Sequence, residues 1–232
     1  MIRTRKAQDR GHADHGWLDT RYTFSFANYY DPDHTGFRDL LVLNDDRIAA
    51  GGGFPTHGHQ DMEILTWVLE GELAHKDSMG HGSLVRPGEL QRMSAGTGVR
   101  HSEFNASVEK PLRLLQIWIK PERAGLAPSY EQKTVPASEL DGKLRLVAGP
   151  DASDGVVKLH QDVRLHVARL SAGQRAELPL RSGRHAWVQV AKGRVSLDGI
   201  ALDEGDGAAL SEEAAVRLEG LGDAEALIFD LR

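Results

Sequence analysis

From residue 17 to residue 119 the chain is punctuated by turn signals roughly every eight to twelve residues, and the segments between them are short. That spacing leaves a β-sandwich or a β-barrel as the fold. Residues 17–30, WLDTRYTFSFANYY, hold five of the ten Phe and Tyr residues and alternate apolar with polar, which predicts a strand pair closed by Asp31-Pro32-Asp33. Residues 40–43 read as a strand with Asn44-Asp45-Asp46 as its turn, and residues 62–69 as a buried strand ended by Glu70-Gly71. Residues 73–76 resume the sheet, residues 77–82 form a loop, and Arg86-Pro87-Gly88-Glu89 has the composition of a type I or II turn. The run LRLLQIWI at 112–119 is the most apolar strand. Residues 1–16 are polar, and His12 and His15 read as exposed.

Two short motifs interrupt this pattern. His57 and His59 are separated by one residue, and so are His101 and Glu103. Side chains alternate faces along a strand, so each pair aims two groups at one side of a sheet. A curled sheet that brings both strands together places three imidazoles and one carboxylate around one cavity. Neutral imidazole binds first-row transition metals, and a carboxylate adds charge and a harder oxygen. Four such ligands on a six-coordinate ion leave room for a guest.

The second half echoes the first. A slide of 122 residues carries Gly71 onto Gly193, and Val190 to Val195 then answers to Val68 to Leu73. The same slide puts Pro179 and Arg181 where the His pair would be, so the second copy lacks it. Two β-barrels of one kind follow, with metal only in the first. A connector holding Pro121, Pro128 and Pro136 contains the expected boundary, with domains at 1–130 and 131–232. A short helix is possible within 129–141.

Bulk properties narrow the function. The formal charge of -6 argues against an electrostatic nucleic-acid footprint. With no cysteine, disulfides, thiolate ligands and a Cys nucleophile are excluded. The start of the chain has no apolar signal-peptide core, and no run approaches the ~18 apolar residues of a spanning helix. A cytoplasmic protein with neither nucleic acid nor membrane as partner is expected.

Gly51, His57, His59 and Glu63 match the cupin pattern G-x5-H-x-H-x3,4-E-x6-G, with Gly71 one residue late and Pro87-Gly88 in place of the later P-x-G turn. The segments GWLDTRYTFSFANYYDP, FPTHGHQDMEI, HKDSMGH and SAGTGVRHSEFN are more specific, and with them the chain resembles the pirin family of the cupin superfamily. The resemblance is strongest over residues 10–120. It implies an all-β bicupin: two tandem cupin-type β-barrels, each a double-stranded β-helix, metallated only in the N-terminal one.

It also implies one divalent transition metal, iron first and Ni, Mn, Co, Cu or Zn otherwise, held by His57, His59, His101 and Glu103. The activity implied is quercetin 2,3-dioxygenase: a planar flavonol and dioxygen in, an opened ring and carbon monoxide out. For that chemistry Glu103, or an uncoordinated oxygen of it, is the candidate catalytic base. The alternative within the family is a metal-dependent, redox-sensitive regulatory protein that docks a protein partner without turnover. Glu63 shares parity with the His pair and is expected to orient an imidazole, or else to be a salt-bridged barrel residue. His75 and His81 read as loop or rim residues, and Gln116 as a pocket donor or an outward polar residue.

Overall fold

In the computed structural model, which describes residues 1–151, 153 and 155–232, strands dominate and the helices are one 3-10 turn (Ala7–Asp9) and one α turn (Ala137–Leu140). Each half builds a seven-stranded sheet faced by a four-stranded one. In the N-terminal lobe the large sheet runs in the order Ser129–Thr134, Glu89–Ser94, Glu63–Glu70, Leu112–Ile119, Leu40–Ile48, Leu18–Tyr22 and Gly11–Asp14. Its small sheet is Gly53–His59, Val99–Asn105, Leu73–Asp77 and Gly82–Val85. The C-terminal lobe repeats the 7 + 4 plan, as the internal echo in the sequence predicts.

The large sheets have no solvated face, which explains their nearly continuous apolar runs. Along Glu63–Glu70, Leu65, Trp67 and Leu69 enter a core shared with Leu165, Val167, Leu227 and Phe229 of the other lobe. On the opposite face, Ile64 and Val68 point into their own barrel. Polar contacts reinforce the seam between lobes: the Trp67 indole donates to Glu225 Oε1 at 2.7 Å, and Lys192 Nζ to the Leu69 carbonyl at 2.8 Å.

Two strands cross the seam. Ile2–Arg5 pairs with Gly207–Ser211 of the C-terminal sheet, and Ser129–Thr134 pairs with Glu89–Ser94 of the N-terminal sheet. The 130/131 boundary therefore falls inside a strand. The expected helix within 129–141 is reduced to the turn Ala137–Leu140. Residues 17–30 form one strand, Leu18–Tyr22, followed by a loop rather than a second strand. Asp31 anchors that loop by accepting hydrogen bonds from Arg5, Tyr29 and His34.

The largest departure is at Asn44-Asp45-Asp46. These residues do not turn; they lie within Leu40–Ile48 and all three are buried. Asp45 faces Arg113, which donates two hydrogen bonds to it at 2.9 and 2.8 Å, with Arg10 nearby at 3.7 Å. Asn44 and Asp46, one residue to either side, point the other way, into the N-terminal barrel. The C-terminal barrel is instead filled by apolar side chains, among them Val188, Val195, Leu218 and Ile228.

Candidate metal centre

Three imidazoles meet inside the N-terminal barrel. Gly53–His59 and Val99–Asn105 are antiparallel neighbours with His101 directly opposite His57, so strand parity delivers both His57 and His59 to the face that carries His101. The approach is close: a Cβ at Gly53 would sit 2.4 Å from the Glu103 carbonyl oxygen, so only glycine lets the strands pair there. The register shift here places an extra residue in Gly53–His59 between Phe54 and His57, while His101-Ser102-Glu103 pairs regularly with Asp77-Lys76-His75 on the other side.

His101 Nε2 lies 3.1 Å from His57 Nε2 and 3.0 Å from His59 Nε2. His57 Nδ1 is 2.9 Å from the Pro55 carbonyl, and a proton on Nδ1 donated there leaves Nε2 a bare lone pair. Burial, with His57 beside them, pushes His101 down to about 3 and His59 down to about 4. At neutral pH these rings are therefore uncharged, the form that binds metal. Lone pairs converging in this way repel one another unless a cation sits between them. Two metal–nitrogen bonds of ~2.1 Å at a right angle span ~3.0 Å, which is the separation found here. The donor set fits a divalent ion with octahedral angles.

Glu103 is placed differently from the sequence expectation of one compact four-ligand set. It lines the same cavity, but its carboxylate groups with His101 and His75, all within 4.8 Å, rather than with His57 and His59. Gln116 donates to Glu103 Oε2 at 2.8 Å, while Oε1 is buried without a partner. Burial pushes this carboxyl up to about 7, against the hydrogen bond from Gln116 and with the charge of Asp46. Gln116 is thus a pocket donor.

Two other expectations are corrected. Glu63 neither joins the cluster nor orients its imidazoles: its Oε2 faces His160, accepting from the backbone N–H at 3.2 Å with the ring Nδ1 at 3.3 Å. The bend at residues 60–62, with Asp61 at φ 49°, breaks the parity that linked it to His59. His75 is not a rim residue. Its side chain is fully buried, its Nε2 lies 3.3 Å from Asp77 Oδ2, and its ring stacks on Tyr130. His81 does sit at the surface, stacked on the other part of the same Tyr130–Asp77 network.

The cavity in front of the imidazoles has a volume of about 220 Å³. Phe26, Phe54, Ile64 and Trp118 form its apolar walls, with Trp118 edge-on to His59 at 5.0 Å. Asn44, Asp46, Glu103 and Gln116 form its polar floor. A larger recess of about 610 Å³ between the lobes, near Leu69, Arg169 and Lys192, has no imidazole in its lining. Among the described residues, both groups of converging His and carboxylate ligands belong to the N-terminal lobe.

The Pirin family matches residues 3–119, and the family described as Quercetinase C-terminal cupin domain matches residues 146–231. The chain belongs to the pirin family. A quercetin 2,3-dioxygenase of Escherichia coli strain K12 is 51% identical over 231 residues, covering 100% of this chain and 99% of that one. A pirin-like protein of Caulobacter vibrioides is 40% identical, with 99% of each chain covered. The crystal structure of the bacterial pirin YhhW from Escherichia coli in complex with nickel(II) superposes with a TM-score of 0.94 at 50% identity, covering 100% of this chain and 99% of that one. The bicupin architecture expected of a pirin is the one observed. No helix among the described residues is long and apolar enough to cross a membrane.

Sequence reasoning missed Asn44 and Asp46 of this pirin altogether. Burial pushes the Asp46 carboxyl up to about 7, with neighbouring Asp45 adding to it. In an unfolded chain an Asp ionises at about 3.9. Between these values the folded chain holds a proton that the unfolded chain has lost, so this group subtracts stability as pH rises through the window. For the metal-free protein, Asp46→Asn is expected to flatten that decline by up to about 1.4 kcal/mol per pH unit and to exceed the parent in stability above about pH 7. Denaturant midpoints from pH 4 to 8 check this; parallel curves would show that Asp46 titrates normally.

Proposed function

We propose that this pirin is a cytoplasmic, metal-dependent dioxygenase that opens the heterocycle of a quercetin-like flavonol with dioxygen and releases carbon monoxide. The observation that carries the reading is the convergence of three imidazoles, with His101 Nε2 3.1 Å from His57 Nε2 and 3.0 Å from His59 Nε2, beside a cavity walled by aromatic rings. The 51% identity to a quercetin 2,3-dioxygenase along the whole chain supports it. His57, His59, His101 and Glu103 would hold one divalent ion, iron in the native protein. We assign the metal chemistry to residues 1–130 and a supporting role to residues 131–232.

A bound divalent ion supplies positive charge that favours the ionised 3-hydroxyl of the flavonol, and redox chemistry toward dioxygen. The rest falls to side chains of this chain. Glu103 Oε1, free of partners, is the base that takes the 3-hydroxyl proton. Gln116 pins the other carboxylate oxygen, so the base keeps one orientation. Phe26, Phe54 and Trp118 orient a flat ring and keep water from it. At about 220 Å³ the cavity is smaller than the ~300–1,000 Å³ sites that enclose drug-sized ligands, so a three-ring guest must project from the mouth.

Metal-loaded protein incubated with a flavonol in air is expected to bleach the flavonol absorbance and release carbon monoxide in proportion. Without oxygen neither should occur. Tight flavonol binding with no oxygen-dependent loss would overturn the enzyme reading in favour of a binding protein. Elemental analysis of protein purified without added metal tests the iron assignment.

A further inference from the structure

Asn44 Oδ1, Asp46 Oδ1, Glu103 Oε1 and Gln116 Oε1 are four buried oxygens with no hydrogen-bond partner, and all four residues line the cavity in front of the imidazoles. Asn44 and Gln116 are cross-strand neighbours, and Asp46 lies opposite Leu114 on the same pair of strands. Three of these residues therefore share one wall, and Glu103 belongs to the four-stranded sheet. Glu103 and Gln116 already bond each other through their remaining atoms, whereas Asn44 and Asp46 have no role in holding the imidazoles.

A native protein seldom leaves buried acceptors unmet, and a cluster of them facing one cavity calls for a guest rich in donors. The apolar walls require that guest to be flat and aromatic. A phenolic hydroxyl meets both demands, since its O–H donates while its ring packs. We propose that Asn44 and Asp46 are specificity-determining residues, whose side-chain oxygens accept hydrogen bonds from substrate hydroxyls other than the one presented to the metal. This rests on the flavonol reading above and adds to it a residue-level basis for preferring polyhydroxylated rings.

The test uses binding to chelator-treated protein, so that neither metal nor turnover enters. The probes are two flavones lacking the 3-hydroxyl, one polyhydroxylated and one bearing no hydroxyl, followed by quenching of tryptophan fluorescence, since Trp118 lines the cavity. Asp46→Leu and Asn44→Leu remove an acceptor at similar volume. Each is expected to weaken the hydroxylated probe about tenfold, the equivalent of one hydrogen bond, and to leave the bare probe within about twofold. Asp46→Asn keeps a carbonyl acceptor and should retain most of the discrimination, which also serves if the leucine variants fold poorly. The proposal is overturned if the parent binds both probes alike, or if the substitutions weaken both equally. In metal-loaded protein the same variants should raise KM for quercetin relative to KM for 3-hydroxyflavone. Failure of the dioxygenase reading looks different: no flavonol is consumed, yet the two flavones are still told apart.

Discussion

His101→Ala is expected to lose the metal and the turnover together. His101 Nε2 is the nitrogen that lies about equally close to its two partners, at 3.0 and 3.1 Å, so its removal leaves His57 and His59 as an incomplete pair. Loss of a group that merely supports a metal ligand costs about 10–100-fold in affinity, and loss of the ligand itself should exceed that. Elemental analysis after gel filtration reads the outcome, with circular dichroism to establish that the chain is folded. Folding should survive, because the change also removes His101 Nδ1, a buried nitrogen without a partner. Full occupancy in the folded variant would strike His101 from the ligand set.

Glu103→Gln should lower kcat by about 10²–10⁴-fold, the range of a general base, with KM little changed. The amide keeps the shape and leaves Gln116 an oxygen to bond, so packing around the site is preserved. Glu103 groups with His101 and His75 rather than with His57 and His59, which makes metal occupancy the deciding companion measurement. Retained metal with lost turnover identifies a base; metal and turnover lost in step identify a ligand. Unchanged turnover would remove Glu103 from the chemistry.

The site was legible where strand parity alone decides direction. His57, His59 and His101 needed only alternation and the pairing of two strands. Parity failed for Glu63, because the chain bends at Asp61 before the next strand begins. Asn44-Asp45-Asp46 has turn-like composition, and only the surrounding barrel shows that a polar triplet continues a buried strand, with Arg113 neutralising one side and a cavity receiving the other. His75 did carry a signal that went unread. His75-x-Asp77 repeats the spacing of His101-x-Glu103, and the two segments pair with His101 opposite Asp77 and Glu103 opposite His75. The repeat of one sheet plan in both halves was legible in the internal echo, but the pairing of Ile2–Arg5 with Gly207–Ser211 was not, since partners about 200 residues apart leave no local mark.

That exchange bears on how the molecule is made. Ile2–Arg5 has to wait for Gly207–Ser211 before its backbone is satisfied, and the Met1 ammonium donates to the Ser211 carbonyl at 2.7 Å. Contacts this distant form late, so the N-terminal barrel can close while Ile2–Arg5 is still unpaired. An affinity tag fused at Met1 would therefore burden the lobe that lacks the converging imidazoles, and the halves expressed separately would each be missing an edge.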